Sequence, residues 1–121
     1  MSFWKRREPE LDTVDDPTEP LDPKAFLALV EAVGRSCVHE VKRLGGDADE
    51  VLGTVWFTEK QEVSRVQLTS DGRPLPTGKA FSKDLTQQAV PFRAQPEGGR
   101  LDRIELTVAD GTLSTEVNYR R

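Results

Sequence analysis

Residues 101–119 read LDRIELTVADGTLSTEVNY, and the fold is best predicted outward from this stretch. Apolar residues alternate with polar ones on both sides of Asp110-Gly111, as in two strands that each bury one face. A two-residue Asp-Gly loop favours a type I′ turn, because both central residues of that turn adopt a positive φ. The stretch therefore predicts an antiparallel hairpin.

The turn also fixes which residues face one another across the hairpin. On the outer face it places Glu105 opposite Glu116, and like charges in that position repel. Two interpretations stay open: a solvated surface with Arg103 or Arg121 nearby, or an acidic spot for a basic partner. The apolar face agrees with the same register in three pairs: Val108 with Leu113, Leu106 with Thr115, and Ile104 with Val117.

A long amphipathic helix is predicted upstream. Asp22 suits the N-cap position and Pro23 the first helical position, while Gly45-Gly46 suits the C-terminal end. Gly34 in mid-helix indicates close packing against a strand. Six apolar residues at spacings of three and four predict one buried face: Phe26, Val30, Val33, Cys37, Val41 and Leu44.

The segment 51–69 has apolar residues on both sides of the polar run 59–62, which predicts a second hairpin. Ser70-Asp71-Gly72 is typical of a turn that closes it, and 73–78, with two prolines, is interpreted as a loop.

Residues 79–99 allow two interpretations. The favoured one is a short helix that Ser82 caps, that runs through Ala89 and that Pro91 ends. The other is an edge strand over Ala89–Ala94, where a proline is tolerated. With either, residues 22–121 are expected to form one α+β domain, with the N-terminal helix packed on an antiparallel sheet of about four strands built from two hairpins.

Residues 1–21 are predicted to be a disordered, acidic, proline-rich tail, because few of them are apolar. Phe3 and Trp4 stand beside three basic residues. We interpret that end as docking on its own domain or staying loose, with contact to a membrane surface or a partner as the alternative.

Charge is distributed unevenly. The first 22 residues hold three of the 17 Lys and Arg and seven of the 21 Asp and Glu, so residues 23–121 carry 14 of each sign. A near-neutral domain behind an acidic tail argues against nucleic-acid binding, which needs a basic face. The one cysteine suits a reducing cytoplasm, and neither a secretory signal nor a membrane span is expected.

Catalytic and metal-binding patterns are weak. The single histidine, His39, is expected at the helix surface and Cys37 in the core. Asp47, Asp49 and Glu50 lack the ligand spacing of a calcium loop. We therefore predict a non-enzymatic protein with no cofactor and no metal. Trp56 and Phe57 are adjacent, so one should face inward and the other outward as a candidate for partner contact.

The closing run of residues 111–119 resembles the C-terminal signature of the YezG-type immunity proteins, which are small bacterial antitoxins. Their last strand often ends in Glu-x-Asn-Tyr, and Glu116, Asn118 and Tyr119 stand in those places here. The resemblance implies an α+β protein that occludes a cognate toxin, often a nuclease.

Three functions are therefore weighed. The first is a protein-binding module, in particular an immunity protein for a basic toxin, whose candidate contact residues are Glu105, Glu116, Trp56 and Phe57. The second is an assembly domain that forms a homodimer through an edge strand or through Trp56 or Phe57. The third is a small enzyme with an Asp or Glu base, which would need a deep pocket around that carboxyl group.

Overall fold

The structure is a computed structural model and describes residues 19–120, with Glu97 described by its backbone only. The predictions for Phe3, Trp4 and the rest of 1–18 lie outside the described residues. Leu21, assigned above to the tail, is partly buried against the core, and its N–H donates to Gln95 Oε1 at 3.0 Å. The elements in chain order are α1 Pro23–Arg43, β1 Glu50–Phe57, β2 Val63–Ser70, β3 Arg73–Leu75, α2 Lys79–Gln88, two 3₁₀ turns at Val90–Ala94 and Glu97–Gly99, β4 Leu101–Ala109 and β5 Thr112–Tyr119.

The five strands form one sheet in the order β3-β2-β1-β4-β5, in which every neighbouring pair is antiparallel. The prediction of an α+β fold is confirmed, with one strand more than expected. The β4–β5 hairpin has the predicted register in every pair named above, including Glu105 with Glu116. Asp110 and Gly111 have φ of 53° and 77°, as a type I′ turn requires.

Strands β1 and β2 confirm the second hairpin, whereas the interpretation of 73–78 as a loop is wrong at its start. Residues Arg73–Leu75 form β3, which pairs with β2 across a two-residue turn at Asp71 and Gly72. Both turn residues have positive φ, 51° and 77°. The turn is thus a second instance of the Asp-Gly geometry that closes the β4–β5 hairpin.

Helix α1 begins and ends where the capping residues predict. The Asp22 carboxylate accepts a hydrogen bond from Ala25 N at 2.7 Å. Gly45 has a φ of 81°, and Gly46 N donates to Val41 O at 2.8 Å, which closes a Schellman motif. A Cβ at Gly34 would lie 3.1 Å from a side-chain atom of β5, so the expected close packing against a strand is confirmed.

Residues 79–99 are helical, so the edge-strand alternative is wrong. Helix α2 starts at Lys79 with Gly78 as its N-cap, so Ser82 is a helical residue and does not cap. Pro91 follows the end of α2 and lies in the first positions of the next 3₁₀ turn. An N–H in the first positions of a helix has no hydrogen-bond partner within the helix, so a proline is tolerated there. Pro91 therefore ends α2 and also begins the next turn.

The two helices cover one face of the sheet, and the core lies between the layers. Phe92 from the first 3₁₀ turn is completely buried, with its ring 5.4 Å from that of Phe26 in α1 and 6.0 Å from that of Phe57 in β1. Phe26 and Cys37 of α1, both predicted to face the core, are buried in it.

Candidate functional site

The sheet has a second face that no described helix covers. Because side chains alternate along a strand, residues directly opposite one another in the register share this face. We call it the outer face, and it comprises Leu52, Thr54 and Trp56 of β1, Arg65, Gln67 and Thr69 of β2, Arg103, Glu105 and Thr107 of β4, and Ser114, Glu116 and Asn118 of β5.

The central strand of the outer face carries two large apolar side chains, Leu52 and Trp56. Strand β1 is the central strand, and Leu52 on it keeps 60% of its surface exposed. Its neighbours across the sheet are Thr69 and Thr107, whose short side chains leave the leucine projecting. Thr54 and Trp56, two and four positions further along β1, lie on the same face as Leu52. An aliphatic and an aromatic side chain therefore lie on one line along the centre of the sheet.

Trp56 is held by a cation–π contact. The guanidinium carbon of Arg65, its neighbour on β2, lies 4.9 Å from the centre of the indole ring. This contact covers part of the indole, and Trp56 is half-buried. The Arg65 side chain also fixes the ring in place, so the indole presents a preorganised surface.

The charged end of the outer face is organised by Arg103. Its Nε lies 2.7 Å from Glu105 Oε2, and its Nη1 lies 3.1 Å from Asp102 Oδ2. The hydrogen bond to Glu105 is the largest cause of a raised pKa for the Arg103 guanidinium. Asn118 Nδ2 lies 3.5 Å from the same Glu105 oxygen. Arg103 therefore offsets the repulsion between Glu105 and Glu116 that the register implies, as the solvated-surface interpretation expected.

The four predicted contact residues divide into two groups. Trp56, Glu105 and Glu116 share the outer face, where Trp56 and Glu105 occupy neighbouring rows. Phe57 is only 3% exposed and faces the core, so it is corrected to a core residue. The expectation that one of the two aromatic residues faces inward is confirmed, and the inward one is Phe57.

Sequence reasoning missed Leu52. The signal was present, because Leu52 stands four positions before Trp56 and therefore shares its face in a strand. It was hidden because the segment 51–57 carries apolar residues on both faces of β1, and the faces look alike until the covering helices are placed.

Cys37 has the burial of a structural residue. It is 0% exposed in α1, and burial, followed by the charge of Glu40, raises the pKa of its thiol to about 12. A thiol held in that form is a poor nucleophile. His39 is exposed on the same helix, and the described residues contain no group of three His, Cys, Asp or Glu that could hold a metal ion.

We expect Cys37 to be unreactive in the folded protein. A thiol-specific chromogenic reagent added at neutral pH should label less than a tenth of the chains before unfolding and all of them in denaturant, on the order expected for a buried protonated thiol. The single cysteine makes the assay unambiguous. Rapid labelling of the native protein would contradict the burial of Cys37.

Comparison with known proteins finds no matching family model, no matching curated protein and no matching solved structure. No helix among residues 19–120 is long and apolar enough to cross a membrane. The fold and the site define the molecule as a two-layer α+β domain with one sheet face open.

Proposed function

We propose that the chain is a non-enzymatic protein-binding module whose partner contacts the outer face. One observation carries the proposal: Leu52, on the central strand of the sheet, is 60% exposed on that face. A large apolar side chain exposed on an otherwise polar sheet face is typical of contact sites between proteins.

The surroundings of Leu52 have the layout of a protein interface. Tryptophan and arginine are the residues most enriched among energetically dominant contacts, and Trp56 with Arg65 supplies both in a fixed geometry. The charged group of Arg103, Glu105 and Glu116 lies beside the central strand, with Arg103 opposite Trp56, Glu105 opposite Thr54 and Glu116 one strand further out. Charges beside an apolar contact contribute mainly to specificity and to the rate of association.

The particular partner that we propose is a basic toxin, and this step is supported by the resemblance to the YezG-type immunity proteins. The Glu116 side chain has no hydrogen bond or ion pair with another described residue, so its carboxylate is available for a basic partner. Glu105 is already paired with Arg103. Of the two glutamates, Glu116 is therefore the one expected to steer a basic protein.

The test compares three full-length baits with the wild type in affinity capture followed by mass spectrometry. Leu52→Glu places a charge on the central strand of the proposed interface, and Trp56→Ala removes the aromatic anchor. Loss of a dominant contact of this kind weakens binding by about 30-fold or more, which abolishes stoichiometric capture. Gln87→Glu, at an exposed position of α2 on the other side of the sheet, adds the same charge as Leu52→Glu and serves as the matched control.

The result that supports the proposal is a partner captured by the wild type and by Gln87→Glu but lost with Leu52→Glu and Trp56→Ala. A toxin partner should also be neutralised on coexpression with the wild type and not with Leu52→Glu. A partner retained by all four baits would show that binding uses another surface. Circular dichroism of each bait confirms that the changes, all at exposed or half-exposed positions, leave the fold intact.

The second candidate function is an assembly domain. The observation in its favour is the open edge of β5, an eight-residue strand at the end of the sheet. This edge is separate from the interface proposed on the outer face.

A further inference from the structure

The two edge strands of the sheet are protected very differently. Strand β3 is three residues long and contains Pro74. Ser70 and Arg73, which flank the turn, form a hydrogen-bonded pair, so the next pair, Thr69 with Pro74, is a non-hydrogen-bonded one. The nitrogen of Pro74 therefore points away from β2, to the open side of the sheet. A short strand with a proline there is a common protection against edge-to-edge pairing.

Strand β5 has none of these protections. Its eight residues contain no proline and no lysine, and Glu116 is its only charged side chain. In an antiparallel ladder, hydrogen-bonded and non-hydrogen-bonded pairs alternate, and Ala109 with Thr112, which flank the turn, form a hydrogen-bonded pair. Counted from that pair, three residues of β5 point their N–H and C=O groups away from β4. Those residues are Leu113, Thr115 and Val117, and none of them has a hydrogen bond to another described residue outside its own strand pairing.

We infer that β5 pairs antiparallel with β5 of a second copy of this chain, with Thr115 on the two-fold axis. In this register Thr115 faces Thr115, and Leu113 faces Val117 of the second copy. All three outward-pointing residues then lie in hydrogen-bonded pairs, which gives six backbone hydrogen bonds across the contact. The two sheets become one continuous sheet of ten strands.

The neighbouring registers are worse for identifiable reasons. A shift that puts Glu116 on the axis sets two glutamates directly opposite each other, which is unfavourable. A shift that puts Ser114 on the axis leaves Val117 opposite Gly111, whose N–H already donates to Asp49 O at 3.3 Å. The register centred on Thr115 instead sets Glu116 opposite Ser114 of the second copy, a pair without repulsion.

The helix beside β5 fits the same two-fold axis. Helix α1 runs antiparallel to β5, because Phe26 near its start stacks on Tyr119 at 6.2 Å, whereas Gly34 lies level with Thr115. In the second copy the two-fold axis reverses the directions of β5 and α1. Leu27 of that copy, which is 57% exposed, therefore lies level with the C-terminal end of α1 in the first copy. A groove of about 870 Å³ runs along this flank of α1 from Leu27 to Lys42. At the end away from Leu27 of the same copy, its apolar lining includes Val38, Val108 and Leu113.

This contact does not depend on the proposed function. It uses the strand edge and the flank of α1, so the outer faces of both copies remain open and lie side by side in one larger surface. Partner capture and self-association are measured separately, and failure of one leaves the other standing.

The charge at position 114 tests both the dimer and its register. Sedimentation equilibrium from micromolar to millimolar concentration should give the wild type a mass near twice the 13.5 kDa of the chain. Ser114→Glu creates two Glu–Glu pairs with Glu116 across the axis and should raise the dissociation constant about 3- to 30-fold. Ser114→Lys creates two Lys–Glu pairs and should lower it. Gln67→Glu carries the same charge change three strands away and should leave it unchanged.

Each other outcome overturns the inference. A monomer at every concentration excludes the pairing. A loss of affinity with both changes at position 114 places Ser114 on the axis, and no effect of either change places the contact elsewhere.

Leu27→Gln provides a check outside the strand, because this exposed position tolerates the change without loss of folding. It should weaken the dimer, and a dimer of unchanged affinity would exclude the docking of Leu27 in the groove.

Discussion

Replacing Phe92 with alanine is expected to lower the free energy of unfolding by about 3–5 kcal/mol, the range for removal of a buried aromatic ring. Phe92 is 0% exposed, and its ring touches Phe26 of α1 and Phe57 of β1. It therefore joins the first helix, the central strand and the connection after α2. The cavity left by alanine is surrounded on all three sides by elements that cannot collapse independently.

Urea denaturation followed by circular dichroism measures this loss. Phe81→Ala is the matched control, because Phe81 on α2 is only partly buried at the margin of the core. Its loss should be clearly smaller than that of Phe92→Ala. Equal losses for the two variants would contradict the central position assigned to Phe92.

The parts of the fold that the sequence predicts correctly are those in which two local signals coincide. In β4–β5 the Asp-Gly turn and the alternation of apolar residues demand the same register, and the structure has it. In α1 the cap at Asp22, the glycines at its end and the apolar stripe agree in the same way. Each of these elements is specified by residues within itself, so no knowledge of the rest of the chain is needed.

Strand β3 and helix α2 were missed or misplaced because one signal stood alone. Asp71-Gly72 is the same turn signal as Asp110-Gly111, but Arg73–Leu75 is too short to show alternation. In 79–99 the polar start of α2 has no side-chain cap, and Gly78 precedes it. The packing of Leu85 and Phe92 against the sheet, which a local pattern cannot show, determines where that segment is helical.

The candidate site was predicted in part. The hairpin register alone placed Glu105 opposite Glu116 on the outer face. The choice between Trp56 and Phe57, by contrast, depends on which side of β1 the helices cover, and that is a tertiary fact. The same is true of Leu52, which is exposed on the outer face, and of Gln61, a buried polar residue in a turn that looks solvated in the sequence.

The second substitution with a large expected effect on stability is at Gln61. It is completely buried with a φ of 61°, and its side chain bridges the β1–β2 turn to the start of β4. Nε2 donates to Leu101 O at 3.0 Å and to Thr58 O at 3.1 Å, while Oε1 accepts from Leu101 N at 2.9 Å. Leu101 itself is 0% exposed, so water cannot replace these hydrogen bonds.

Gln61→Ala is therefore expected to cost about 2–4 kcal/mol of unfolding free energy, because it leaves buried backbone groups of Leu101 without partners. Gln67→Ala, an exposed glutamine on β2, is the control and should change stability by less than about 0.5 kcal/mol. Chemical denaturation of both variants measures the difference. A loss for Gln61→Ala as small as that of the control would mean that the bridge to Leu101 contributes nothing.

Gln61→Glu isolates the donor half of the same bridge. The carboxylate still accepts from Leu101 N but cannot donate to Leu101 O or Thr58 O, whereas the protonated carboxyl group can donate. Burial beside these carbonyl oxygens raises the folded-state pKa of the new side chain above its unfolded value of about 4.3. The folded state then binds more protons than the unfolded one, so the deficit of this variant relative to the wild type should shrink as the pH falls from 7 toward the unfolded pKa. A deficit that is independent of pH would show that the geometry of the turn, and not hydrogen-bond donation by Gln61, holds β4 in place.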